Sequence, residues 1–328
     1  MRRLRNFLDL TAVKAAIKDW LIEVWLIYWA LIKIMVPVLL IVRVIELLGW
    51  IEVLGKFIEP LMGMMGLPGE TGLVWMANMF GNIYAGMAVF YQLGLAGQLT
   101  IAQVSVLGAL MLLAHSLPIE VMIARATGVS VWFTLLLRIG GALVLGMILH
   151  ITYSYFYLLQ EPASMLWQPQ ITSSTWINWF ATQGKTLVAA LLIITGLTLL
   201  IRVLRFIGVE KIIHTLLSPV LRILGISIKA SNIMIIGLTL GLSFGGGLLI
   251  KAARSGKVDA KDIFLTMAFL GLCHSLIEDT LLILLLGADL TTALWVRLAF
   301  SLLVIVVLAR IAKRVSKQKQ RWFYRRPN

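Results

Sequence analysis

The chain is poor in cysteine, in acid and in charge altogether. Cys273 stands alone among 328 residues, which excludes an intrachain disulfide and any site built from several thiolates. Charged residues make up 13 % of the chain against 60 % hydrophobic, with a mean hydropathy of +0.95. That is too little charge to coat a water-soluble fold of this length. No phosphate-cradling GKS/T loop, no Ser-His-Asp arrangement with an elbow and no Cys/His cluster occurs, so an enzyme is not expected.

What is present is long apolar sequence. Trp25–Val42, Val131–Ile151, Thr186–Ile201 and Ala293–Leu308 contain only Lys33, Arg138 and Arg297 as charges. Such runs match a hydrocarbon core of ~30 Å, crossed by roughly 20 residues. The first run is too long for a signal peptide and lacks a small-residue cleavage site, so no cleavage is expected. The net charge of +14 gathers at the two ends, in Arg2, Arg3 and Arg5 and again from Arg310 to Arg326. Beside apolar spans, basic clusters indicate the cytoplasmic side and anionic lipid, and no folded nucleic-acid-binding module accompanies them. The expected location is the bacterial inner membrane, multi-pass, with both termini cytoplasmic.

His115-Ser-Leu recurs as His274-Ser-Leu, 159 residues later. The same offset pairs Arg43 with Arg202, Gly49 with Gly208, Pro60 with Pro219, Gly66 with Gly225, Gly86 with Gly245, Gly128 with Gly287 and Arg138 with Arg297, without a gap. A duplicated unit in a membrane protein is the pattern of a transport core. At matched positions Glu46, Glu52 and Glu70 become Arg205, Lys211 and Lys229, while the neutral loop 92–98 becomes the basic 251–257. Under the positive-inside rule the two copies therefore face opposite ways. Each copy has a span, an amphipathic interfacial stretch (50–65; 209–224), a Gly-rich segment (70–92; 229–251) and two further spans. Both flanks of each Gly-rich segment fall on one side, so each is expected to be a re-entrant hairpin, broken near Phe80-Gly81-Asn82 and Gly241-Leu242-Ser243.

The expected fold is an all-α polytopic membrane protein of two inverted-topology repeats, about six transmembrane helices, two re-entrant hairpins and interfacial amphipathic helices. Residues 1–36 hold an N-terminal amphipathic helix on the cytoplasmic face and the start of the first span. Repeat one covers 37–157 and repeat two 186–312, joined by an external loop, 158–185, with Trp167, Trp176 and Trp179 at headgroup depth. A basic tail, 313–328, closes the chain.

His115 and His274 are placed near mid-membrane, where ionisable groups are costly and indicate function. Glu278 lies four residues after His274, on the same face of an unbroken helix; Glu120 and Asp279 are equivalent acids. Pro118 is placed to break the first of these helices. Arg138 and Arg297 are expected to form structural ion pairs with these acids. Asn78, Asn82, Gly241, Ser243 and Ser275, with the histidines and Glu120, Glu278 and Asp279, form the candidate substrate or coupling site; the alternative metal set is His115, His274 and Glu278.

Met76-Ala-Asn-Met-Phe-Gly-Asn82 and His274-Ser-Leu-Ile-Glu-Asp279 resemble the Gate domain, also called the nucleoside-recognition domain, of concentrative nucleoside transporters, ferrous-iron permeases and spore-maturation membrane proteins. The chain departs from the iron permeases in lacking a GTPase domain, and from true nucleoside carriers in lacking extra spans and Ser/Thr-rich hairpin tips. The resemblance implies a secondary transporter of a small, nucleoside-like polar solute, coupled to a proton or sodium and needing no other cofactor. A divalent-metal permease core and a non-transporting accessory or signalling protein are the alternatives. The partners expected are a small-molecule or ion substrate and anionic lipids, not nucleic acid; a homo-oligomer is compatible with the pattern.

Overall fold

The computed structural model describes residues 10–95, 97–165, 175–256, 258–314 and 324, and no strand occurs among them. Among the described residues fourteen helices follow one another. The first seven are α1 (Leu10–Leu47), α2 (Trp50–Gly63), α3 (Thr71–Phe80), α4 (Ile83–Gln92), α5 (Ile101–Leu113), α6 (Leu117–Ala126) and α7 (Val131–Tyr155). The second seven are α8 (Trp176–Phe206), α9 (Val209–Ile223), α10 (Ile228–Leu240), α11 (Leu242–Ser255), α12 (Ala260–Leu272), α13 (Leu276–Leu285) and α14, whose π-helical start Thr291–Val296 runs on as Arg297–Arg314. Six segments among the described residues are long and apolar enough to cross a bilayer: α1, α5 with α6, α7, α8, α12 with α13, and α14. The protein is thus an all-α polytopic membrane protein.

The element boundaries recur at the sequence offset. α5–α6 and α12–α13 end and begin at matched residues, and the paired glycines sit in matched left-handed turns, with Gly66 at φ 66° and Gly225 at 71°, and Gly128 and Gly287 both at 91°. Only glycine adopts this conformation without a Cβ penalty. Each Gly-rich segment folds as two helices packed on each other, α3 on α4 and α10 on α11, and none of these four helices is long enough to cross alone. The break falls at Gly81–Asn82 in one and at Gly241 in the other.

Three expectations are corrected. Residues 10–18 and the first span form one continuous helix, because nothing between Leu10 and Leu47 ends it; Pro37 is accommodated inside it. Residues 1–9 and most of the tail lie outside the described residues. The fourth span starts at Trp176 rather than near residue 186, since Thr175 caps the helix by accepting from the Asn178 amide. Trp179 consequently packs in a buried cluster with Leu31, Met35 and Leu39 instead of lying in a loop; Trp167 lies outside the described residues.

The halves interlock at the centre. α5 meets the π turn of α14, and α12 meets the π turn of α7 (Leu136–Gly140). α11 packs on α6, and α4 on α13. Gly108 on α5 gives the space that Ile283 of α13 fills.

Candidate functional site

Both central spans are broken where the repeated His-Ser-Leu lies. α5 ends at Leu113 and α6 begins at Leu117, with Ser116 left-handed at φ 48°; α12 ends at Leu272 and α13 begins at Leu276, with Ser275 at φ 45°. A β-carbon in this conformation costs on the order of 1–2 kcal/mol, and both copies carry it. His115 and His274 therefore sit on unwound backbone between half-helices. Pro118 is accepted in the first turn of α6, where its missing N–H costs nothing.

The two histidines touch. Their Nε2 atoms are 2.9 Å apart, and both residues are buried. His115 Nδ1 lies 3.0 Å from the Met111 carbonyl and His274 Nδ1 2.6 Å from that of Leu270, so each Nδ1 donates to the end of the preceding helix. Those carbonyls have lost their next-turn partners, and the imidazoles satisfy them.

Around the pair the structure is symmetric in position but not in chemistry. Arg138 Nη1 donates to Glu120 Oε2, and its Nε donates to the Leu113 carbonyl at 2.9 Å. Arg297 donates likewise to the Leu272 carbonyl at 3.2 Å, but its Nη2 stands 3.7 Å from Asp279 Oδ2 and donates instead to the carbonyls of His274 and Leu112. The aspartate is one methylene shorter than Glu120 and stops short. Its Oδ2 is buried with no hydrogen-bond partner. Glu120 Oε1 lies 3.4 Å from both histidine Nε2 atoms, and Asp279 Oδ2 lies 3.8 Å from that of His115. Both arginines are fully buried at π-helical turns, a distortion often found at functional sites.

The sequence-predicted residues divide. His115, His274, Ser275, Glu120, Glu278, Asp279, Asn82 and Gly241 line one cavity of about 460 Å³. Asn78 does not: it is buried on α3, and its amide nitrogen donates to the Met111 and Ala114 carbonyls at the end of α5. Asn82 caps α4 by accepting from the Ala85 amide. The Ser243 side chain lies outside the described residues. Glu278 is displaced from the metal set proposed from sequence, because the left-handed Ser275 resets the helical phase between His274 and α13. His115, His274 and Asp279 are the group whose donor atoms all lie within 4.8 Å of one another.

The cavity wall includes residues that sequence reasoning passed over. Glu23 and Ile27 on α1 face Thr198 and Arg202 on α8, Tyr84 sits at the tip of α4, and the Arg202 guanidinium pairs with Glu23 across the opening. The usable signal was the offset, which makes Arg202 the equivalent of Arg43. That equivalent end is packed shut. Arg43 is buried, pairs with Glu46 at 2.9 Å, and lies over the Trp176 ring at 5.8 Å.

Known proteins bear on this geometry. The chain is 28 % identical over 297 residues to "Uncharacterized membrane protein YvoD" of Bacillus subtilis (strain 168), a similarity covering 87 % of this chain and 91 % of that protein. No solved structure matches. Residues 28–130, which include the first hairpin, His115 and Glu120, match the family model described as Gate, nucleoside recognition, so the resemblance carried by Met76–Asn82 holds over that segment of a multi-pass helical membrane protein.

Proposed function

We propose that the protein is a secondary transporter of a small polar solute, working by alternating access between two inverted halves in the bacterial cytoplasmic membrane, with both termini cytoplasmic and no enzymatic step. The observation that carries this reading is the contact of His115 with His274 across two broken spans, at the wall of a polar cavity. Broken helices, buried ionisable groups and repeated halves are the parts from which such sites are made. The α3–α4 and α10–α11 pairs act as re-entrant hairpins whose tips meet the cavity. The cavity reaches the Arg202–Glu23 end of α1 and α8, while the related Arg43 end is sealed by Trp176 and Trp179. Transport exchanges which of the two ends is sealed. The Gate match supports a nucleoside-like solute, and a proton held by the histidines, or sodium, is the coupling ion.

Uptake of labelled nucleosides and small amines into proteoliposomes tests this. Accumulation by the wild type and its loss in the His115→Ala, His274→Ala double variant are expected; unchanged uptake in the double variant rules the site out. A second reading, a divalent-metal permeation core, is favoured by the clustering of His115, His274 and Asp279, and opposed by the two buried arginines beside them. Metal stoichiometry of the purified protein, with and without Asp279→Asn, separates the two.

A further inference from the structure

Among the positions at which the two halves differ at the centre, two concern acids, and both act on the same side. The position of Ile119 on α6 is Glu278 on α13, so one copy presents a carboxylate to the cavity where the other presents a methyl group. The position of Glu120 is Asp279, whose carboxylate falls short of Arg297 and keeps an unpaired, buried oxygen. A buried acceptor without a donor is expensive and is normally satisfied by a ligand or an ordered water. Arg138 pairs with Glu120 and Arg297 stands 3.7 Å from Asp279, whereas Glu278 at the cavity wall forms no ion pair among the described residues. At the opening Arg202 is paired with Glu23, and Arg205 lines the same cavity. The rest of the wall mixes apolar side chains, Ile27, Leu31, Ile119, Ile123, Ile201 and Leu282, with Tyr84, Ser116, Thr198 and Thr239. About 460 Å³ is far more than a bare ion needs. A pocket that sets a few placed polar groups beside apolar side chains is the form that holds small organic molecules.

We propose that Glu278 and Asp279 hold the ammonium or guanidinium head of an organic cation, whose apolar body lies against the isoleucine and leucine side chains. This rests on the transport reading for the solute's passage, and sets an organic cation in place of the nucleoside-like solute. Asp279 accepts from the head through the oxygen that Arg297 leaves free, and Glu278 closes on it from the next position of α13.

Binding is measured on the full-length protein in detergent micelles, independently of transport, by thermal shift and titration calorimetry. The probes are n-butylammonium, n-butylguanidinium, the neutral isostere 1-butanol, sodium chloride and magnesium chloride. At least one of the two organic cations is expected to raise the unfolding temperature saturably, while the isostere and the salts do no more than an ionic-strength control. Glu278→Ile, which restores the symmetry with Ile119, is expected to weaken binding at least tenfold. Asp279→Glu keeps the charge but lets Arg297 claim the carboxylate, and it is expected to weaken binding to a similar extent while leaving the unfolding temperature of the free protein unchanged or higher. The proposal is overturned if neither organic cation binds, if the neutral isostere binds as well, if sodium or magnesium binds more tightly, or if Glu278→Ile titrates like the wild type. A protein that binds the cation in micelles but does not carry it into proteoliposomes keeps this site and loses the transport reading.

Discussion

Arg138 and Arg297 show what a single methylene does in a buried site. Both guanidinium groups are fully enclosed and both anchor to the carbonyl that ends the preceding half-helix, yet only Arg138 gains a direct carboxylate partner. Removing one member of a buried pair leaves the other charge uncompensated, which costs about 3–5 kcal/mol. Glu120→Gln is therefore expected to lower the unfolding temperature sharply, whereas Asp279→Asn is expected to cost clearly less, because Arg297 already rests on three carbonyls. Thermal unfolding of the two variants in one detergent makes the comparison; equal losses refute the asymmetry. At this scale the sequence was legible in part. The repeated histidines, the acids and both arginines stood out as a constellation. The substitution of Asp279 for Glu278 in the inner group did not, since the periodicity argument assumed an unbroken helix after His274.

At the scale of elements, the hairpins and broken spans are set by a few backbone positions. Gly241 has φ 86° and ψ 169°, a region closed to residues with a side chain, and an added Cβ would lie 2.6 Å from Ser275 Oγ. Such strain is worth on the order of 1–3 kcal/mol. Gly241→Ala is accordingly expected to destabilise the protein by about that amount and to reduce uptake, because it pushes the tip of α10–α11 against the break between α12 and α13. A variant with wild-type stability and uptake contradicts this role for the tip. Both hairpin breaks were readable from glycine and asparagine. The break at Ser275 was not, because serine carries no left-handed signal of its own and the second copy has no proline to match Pro118. The early start of α8 was hidden for a similar reason: Trp176 and Trp179 read equally well as interfacial anchors or as a buried helix face.

For the whole molecule, the pattern of charge predicts two halves with opposite orientation across the bilayer. With Cys273→Ser as background, single cysteines at Gln98 and Ser255 report this directly. Gln98→Cys is expected to react with an impermeant maleimide added outside whole cells, and Ser255→Cys only after the cells are opened; reaction of both from one side excludes inversion. The structure is asymmetric despite the repeated sequence: a cavity lies along Glu23 and Arg202, while Arg43 and Trp179 near the other end are buried. Weakening the seal with Trp179→Ala is expected to shift the population toward the opposite opening, measured as raised external labelling of a cysteine placed at Thr186.

Apolar run length already determined the membrane, and the offset of 159 residues with its glycines determined the matched element boundaries and the positions of the breaks between paired helices. These are properties of local sequence in contact with lipid and water, and no folded partner is needed to evaluate them. The tertiary structure alone decided that His115 meets His274, that Asp279 rather than Glu278 joins them, and that one end of α1 and α8 is closed. Those outcomes depend on helix phase after a left-handed residue and on side-chain reach across the interface between the halves, distances that only the packed chain defines.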